Sequence, residues 1–150
     1  MILIFEIWPV VDEELYGSNF PSDDTAICLI DKLNIFAVIS LTQESPSLNI
    51  RQRYKWHHIP VPDFGAPTVS QAEFFLRTVE TYAAQNRRTL VHCLGGYGRT
   101  GTMTVLYVMK RRKIKPAEAV EYIRSIRPGS VETEAQLRFI EEFYLTTIAA

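Results

Sequence analysis

Ten residues, His92 to Gly101, read HCLGGYGRTG and bring a cysteine, an arginine, a threonine and four glycines into one short stretch. Two kinds of chemistry use such a string. Gly96 to Gly101 satisfies G-x-G-x-x-G, the turn that lays a dinucleotide pyrophosphate on a helix N-terminus. The other use is a cysteine nucleophile at the floor of a loop that wraps a phosphate. A dinucleotide turn needs a following helix and then a second strand with an acidic residue about 20 positions on. The region at that distance here is KPAEAVEYIRSI, residues 115–126, whose apolar spacing is helical. No Gly-Lys-Ser/Thr occurs, which removes a Walker loop as well.

The nucleophile reading uses more of the residues. Small residues at Gly95, Gly96 and Gly98 let the backbone turn its N–H groups inward, and with Leu94 and Tyr97 they form a concave anion site. The N-terminus of the next helix adds its positive end. The same field favours a thiolate at Cys93. Arg99 presents a planar fork suited to two phosphoryl oxygens. Transfer to sulfur also needs an acid for the leaving oxygen and, later, a base for water. Asp63, in the loop PDFGAPT, is the candidate. On residue type alone, a loop aspartate at that place reads first as turn chemistry.

These groups need a scaffold. ILIFEI (2–7) and LYGSN (15–19) read as short opening strands, and a helix is expected from Ser22 with Ala26, Leu29, Ile30 and Leu33 on one face. IFAVISL (35–41) has the continuous apolar character of a strand buried on both sides. A polar segment with Pro46 precedes a strand in YKWHHIPV. Ser70 and Glu73 read as a capping box for a helix bearing Ala72, Phe75, Leu76, Val79 and Ala83. TLVHC is then a buried strand leading into the glycine loop. Helices follow over TMTVLYVMKRR, from Pro116 to Ile126, and after a Thr133/Gln136 cap, with Leu137, Ile140 and Tyr144 on the last. The expected fold is α/β, a small central and mostly parallel sheet flanked by helices with a helical C-terminal half. The loop sits at a strand's carboxyl end, where such sheets place ligands.

Composition agrees with one domain over residues 1–150. The chain is 47% hydrophobic and carries a net charge of −1, which argues against broad attraction to nucleic acid or anionic membrane. The basic run KRRKIK, Lys110 to Lys115, reads as a solvated helix end. Two cysteines make no disulfide framework and point to a reducing, cytoplasmic setting. MILIFEIW is too short for a signal segment, and no run reaches membrane-span length. His57 and His58 are adjacent on a strand and so face opposite ways, and no metal cluster is read. Cys28 falls opposite its helix's apolar stripe, where a regulatory disulfide with Cys93 is a conceivable use.

His92-Cys93, two residues, Gly96, one residue, Gly98-Arg99-Thr100-Gly101 resembles the signature of the cysteine-based protein tyrosine phosphatase superfamily. LYGSNFPSD, FAVISLTQES, HIPVPDFGAPT and IRPGSVET resemble, in order, segments of small atypical dual-specificity phosphatases of archaeal-like type. The resemblance implies Cys93 as nucleophile, Arg99 and the loop amides as phosphate ligands, and Asp63 as acid and then base. It gives Thr100 a hydroxyl that hydrogen-bonds the cysteine sulfur, alongside a helix-capping role. His92 then positions the loop. VETEAQLRF resembles the glutamine loop of larger relatives, with Glu132 in place of the first glutamine and Gln136 at the second. No metal or other cofactor is implied. The expected partner is a phosphoprotein substrate, with phosphotyrosine favoured and Phe64 and Tyr97 placed to flank its ring; no oligomeric state is read. Two rivals are a catalytically weak phosphate-binding adaptor, and a phosphatase for phosphoinositide or RNA 5′-phosphate. An adaptor commonly lacks one of Cys93, Arg99 and Asp63. The lipid and RNA enzymes commonly carry basic residues in the loop or asparagine before the arginine, and Leu94, Tyr97 and Gly98 supply neither.

Overall fold

The computed structural model describes residues 4–150. Among them five strands form one sheet: β1 (Ile7–Val11), β2 (Leu15–Ser18), β3 (Ile35–Ser40), β4 (Lys55–His58) and β5 (Arg88–His92), in the order β1-β2-β5-β3-β4. β1 runs antiparallel to β2, and every other pair is parallel. Helices α1 (Asp24–Lys32) and α2 (Leu48–Arg53) carry the chain outward from β2 to β3 and β4. Helix α3 (Val69–Ala84) then brings it back to β5, between β2 and β3. Because crossovers are right-handed, reversing the direction of travel moves the helix to the opposite face. The sheet accordingly has two apolar cores. One gathers Tyr16, Ala26, Ile30, Val38, Ile50 and Leu90. The larger takes Leu15, Ile39, Val91 and α3 together with α4 (Gly98–Arg112), α5 (Pro116–Ile126) and α6 (Glu134–Phe143). Neighbouring residues such as Leu90 and Val91 therefore point into different cores, the mark of a strand covered on both sides.

The expected α/β class and the parallel centre are present, and several boundaries differ. The strand expected over 2–7 is Ile7–Val11; residues 2–3 lie outside the described part. Over residues 4–6 the Asn19 side chain supplies the pairing beside a single backbone bond, Asn19 N to Glu6 O at 3.3 Å. Asn19 donates to Ile4 O at 2.8 Å and accepts from Glu6 N at 2.8 Å. Asp23, not Ser22, caps α1 through Ala26 N. The α3 cap is Thr68 with Gln71, two residues before the expected Ser70 and Glu73, and both reciprocal bonds are made. Helix α2 was hidden in the polar segment after Pro46: it has six residues and buries only Ile50, too little for a periodic signal. The chain ends the last helix in a π turn, Tyr144–Ile148.

The basic run is the solvated end of α4. Lys110 pairs with Glu80, Arg111 with Glu14, and Arg112 lies over the Tyr122 ring at 4.3 Å. No helix of the described residues is long and apolar enough to cross a membrane.

Candidate active site

Strand β5 stops at His92, and the chain turns through Cys93–Tyr97 before α4 begins at Gly98. Cys93 is buried at the floor of this turn, and Gly96 N–H points at its sulfur, N to Sγ 3.2 Å. Gly96 has φ +83°, and a Cβ there would lie 2.6 Å from Trp8 Cη2 and 3.0 Å from Ser18 O. Only glycine fits both the backbone angle and the space. A Cβ on Gly98 would meet the Glu132 carboxylate and Gln136 Nε2. Helix α4 has no side-chain cap, so its first N–H groups remain free beside the turn. The capping role expected of Thr100 is thus not used: the residue lies inside the first turn. Its buried hydroxyl has no hydrogen-bond partner within the protein.

Arg99 rises from that turn of α4 and is buried. Nη1 donates to Val61 O at 3.2 Å, and Nη2 stands 3.4 Å from Asp63 Oδ1. Nε is buried with no protein partner. The guanidinium edge made by Nε and Nη2 is the pair that fits two oxygens of a tetrahedral anion. Asp63 is half-exposed and faces that guanidinium, so the loop after β4 meets the first turn of α4, which follows directly on the turn holding Cys93.

His92 fixes the base of the loop. Its Nδ1 is 3.1 Å from Cys93 O, an acceptor, so that nitrogen carries the hydrogen. Nε2 is therefore the acceptor for Ser40 Oγ–H at 2.6 Å, and Ser40 Oγ in turn receives the Trp56 indole N–H at 2.9 Å. Burial is the largest influence on the imidazole and pushes it down to about 4, with the Arg99 charge acting the same way. A neutral, oriented ring thus ties β3 and β4 to the carbonyl of the cysteine.

The loop carrying Asp63 is anchored from the far end of the chain. Asp63 Oδ1 accepts Phe64 N–H, and Phe64 takes the left-handed φ of +63°. Thr133 Oγ1 donates to Phe64 O at 3.0 Å. Gln136, fully buried, donates through Nε2 to Gly65 O at 3.1 Å while its oxygen accepts Glu132 N and Thr133 N. Gln71 Nε2 holds the other end of the loop at Pro60 O. Gln136 and Thr133 do form the expected cap of α6, and the same amide also locks the aspartate loop.

Sequence reasoning missed the supports on the other flank. Arg127, at the end of α5, lies with its guanidinium between the Trp8 and Tyr97 rings, 4.3 and 4.2 Å from their centroids. It donates to Glu6 Oε2 and to Gly95 O, each at 2.9 Å. RPG reads in the sequence only as a helix stop, and nothing there pairs it with residues more than a hundred positions away. The Tyr97 ring carries the Arg127 guanidinium on one face, and the exposed apolar side chains here are Leu94 and Phe64.

His57 and His58 face opposite ways, to Tyr82 OH and to Thr42 O. Among the described residues no group of three or more His, Cys, Asp and Glu side chains gathers as a metal site. Cys28 is exposed on α1 and Cys93 buried, both as free thiols. A cavity of about 640 Å³ between α3, the end of α4 and the π turn contains none of the residues of the cysteine loop.

The strand order, the glycine loop after β5 and the opposed arginine and aspartate are those of a phosphatase fold of the protein tyrosine phosphatase superfamily. Solved relatives share it: Tk-PTP in the active form superposes with TM-score 0.77 at 32% identity, over 86% of this chain and 92% of that one. PTPMT1 in complex with PI(5)P shares the fold at TM-score 0.82 and 21% identity, over 93% of this chain and 94% of that one. The chain belongs to the PTP-SAK family, described as Swiss Army Knife protein, DSP-PTPase phosphatase domain, whose model matches residues 7–140. Among curated proteins, cyclin-dependent kinase inhibitor 3 of Mus musculus is 32% identical over 88% of this chain, and phosphatidylglycerophosphate phosphatase PTPMT2 of Arabidopsis thaliana 27% over 93%. The chain spans 61% and 63% of the length of these two proteins. Its fold and family are those of dual-specificity phosphatase domains.

Proposed function

We propose that residues 1–150 act as one catalytic domain that hydrolyses phosphoprotein monoesters, phosphotyrosine foremost, through a cysteinyl-phosphate at Cys93. The Cys93 sulfur attacks phosphorus, forming the S–P bond as the P–O bond to the leaving group breaks. Asp63 gives that oxygen its proton. Asp63 then takes a proton from water as the water oxygen attacks phosphorus and the S–P bond breaks, releasing inorganic phosphate and the thiolate. Arg99 and the N–H groups of the loop from Leu94 to Arg99 hold the phosphoryl oxygens throughout. The Thr100 hydroxyl, buried and unpartnered in the first turn of α4, is assigned to the departing sulfur. His92 and Gln136 position the loop and the acid. The observation that carries this reading is the Gly96 N–H directed at Cys93 Sγ, in a turn that leads into a buried arginine faced by Asp63.

A lipid substrate is the second reading, favoured by the similarity to a phosphatidylglycerophosphate phosphatase. The protein reading is supported by the absence of cations from Leu94, Gly95, Gly96 and Tyr97, and by Arg127 being already occupied with Glu6. Phe64 and Leu94, both more than half exposed, give an aryl phosphate apolar neighbours that a short serine ester does not reach. Phosphopeptides matched for sequence, phosphoinositides and triphosphorylated RNA are to be assayed side by side, with Cys93→Ser as control. Phosphotyrosine peptides should lead in kcat/KM, and the Cys93→Ser protein should be inactive on every substrate. Higher kcat/KM on a phosphoinositide would overturn the protein substrate and leave the cysteine chemistry standing; an active Cys93→Ser protein would remove the latter.

A further inference from the structure

Gly95 C=O and Gly96 N–H belong to a single peptide plane, and in a trans peptide the two point in opposite directions. The carbonyl accepts from Arg127 Nη2 at 2.9 Å, and the N–H reaches Cys93 Sγ at 3.2 Å. Flanked by two glycines, this unit has no Cβ to choose between its two orientations. The reversed orientation would turn a carbonyl oxygen toward the sulfur and toward any phosphate above it. Arg127 is the only donor to Gly95 O in the described hydrogen bonds. It is held in place from three sides: the Trp8 ring, the Tyr97 ring and the Glu6 carboxylate.

We propose that Arg127 sets the orientation of the Gly95–Gly96 peptide, and through it aims the Gly96 N–H at the nucleophile. Arg127 is a positioning residue: it touches neither sulfur nor phosphate, and it acts through the carbonyl it holds on the outer side of the loop. Trp8 completes the arrangement, since its ring edge occupies the space beside Gly96. The inference rests on the cysteine chemistry proposed above.

The test is the pH profile of Cys93 alkylation by iodoacetamide, in a Cys28→Ser background because Cys28 is exposed and reacts too. Losing a hydrogen bond to a charged sulfur costs roughly tenfold or more in thiolate, so Arg127→Ala should move the profile up by about one pH unit or more. Its kcat should fall about 10- to 100-fold, with KM altered far less. Arg127→Lys, whose ammonium still reaches for Gly95 O, should recover a substantial part of the shift. Tyr97→Leu, which removes one ring from the guanidinium, should shift the profile in the same direction by less. A lowered melting temperature with a wild-type alkylation profile in Arg127→Ala would overturn the proposal, because Arg127 would then only pack. Should that variant not fold, wild-type profiles in both Tyr97→Leu and Arg127→Met, which fills the space but has no donor for Gly95 O, overturn it equally. Failure of the cysteine reading is seen separately, as turnover surviving in Cys93→Ser.

Discussion

His92 Nε2 lies 2.6 Å from Ser40 Oγ, with both residues fully buried under the cysteine loop. The acceptor role of that nitrogen requires the imidazole to be neutral, and burial holds it at about 4 against 6.5 in the open chain. Below 6.5 the unfolded chain binds a proton that the folded chain refuses, so this contribution to stability is complete above about 6.5. It is lost progressively as pH falls toward 4, by on the order of 3 kcal/mol. Urea unfolding of the wild type and of His92→Asn, compared from pH 7 to pH 4, isolates it. The gap between the two proteins should narrow with acid, and a constant gap would show that the ring is not held neutral.

Gly96→Ala places a methyl group against Trp8 and Ser18 O at a positive φ. Left-handed backbone and overpacking together should destabilise the protein by about 2–4 kcal/mol. Because the strain falls on the peptide facing the sulfur, turnover of the folded protein should drop at least about tenfold. Denaturant midpoints and single-turnover rates report the two effects separately, and full activity in a destabilised protein would show that the loop absorbs the methyl group outward.

Gln136→Leu leaves Gly65 O, Glu132 N and Thr133 N without their partner. A loss of about 2–3 kcal/mol in stability is expected. The released aspartate loop should also slow kcat about tenfold while KM changes little. Gln136→Glu keeps the acceptor and discards the donor, so it should retain the α6 cap and still lose the grip on Gly65. Equal kcat in Gln136→Leu and wild type would confine the residue to capping.

Asp63→Asn should leave alkylation of Cys93 intact and slow turnover about 10²- to 10⁴-fold for poor leaving groups, far less for activated aryl phosphates. The decline of rate on the basic side, where a general acid has lost its proton, should go with it. Uniform slowing across leaving groups would assign the proton to another residue.

Much of this architecture was legible because it rests on local patterns. The apolar runs at 35–41 and 89–93, the helix beginning at Pro116 and the Thr133/Gln136 cap each need only a few neighbouring residues to be recognised. The cysteine loop was legible for the same reason. What escaped were contacts between distant segments and atoms that have no residue type. Arg99 leans on the backbone carbonyl of Val61, Gln136 on that of Gly65, and Arg127 on that of Gly95. A carbonyl is the same in every residue, so no pattern announces which one will be used. The Thr68 cap was overlooked for a different reason: Ser70 and Glu73 have the right types and spacing, yet Ser70 already lies within the helix.

The bonds from Thr133 and Gln136 to the carbonyls of Phe64 and Gly65 also govern how the domain can be recombined. The acid-bearing segment 59–68 and the start of α6 are far apart in the chain but share one set of donors and acceptors. A graft of the acid loop from a relative should work only when residues 132–136 are transplanted with it, and a graft of either piece alone should fold while leaving the proton donor out of register. Divergence among such phosphatases is therefore expected to travel in matched pairs across these two segments.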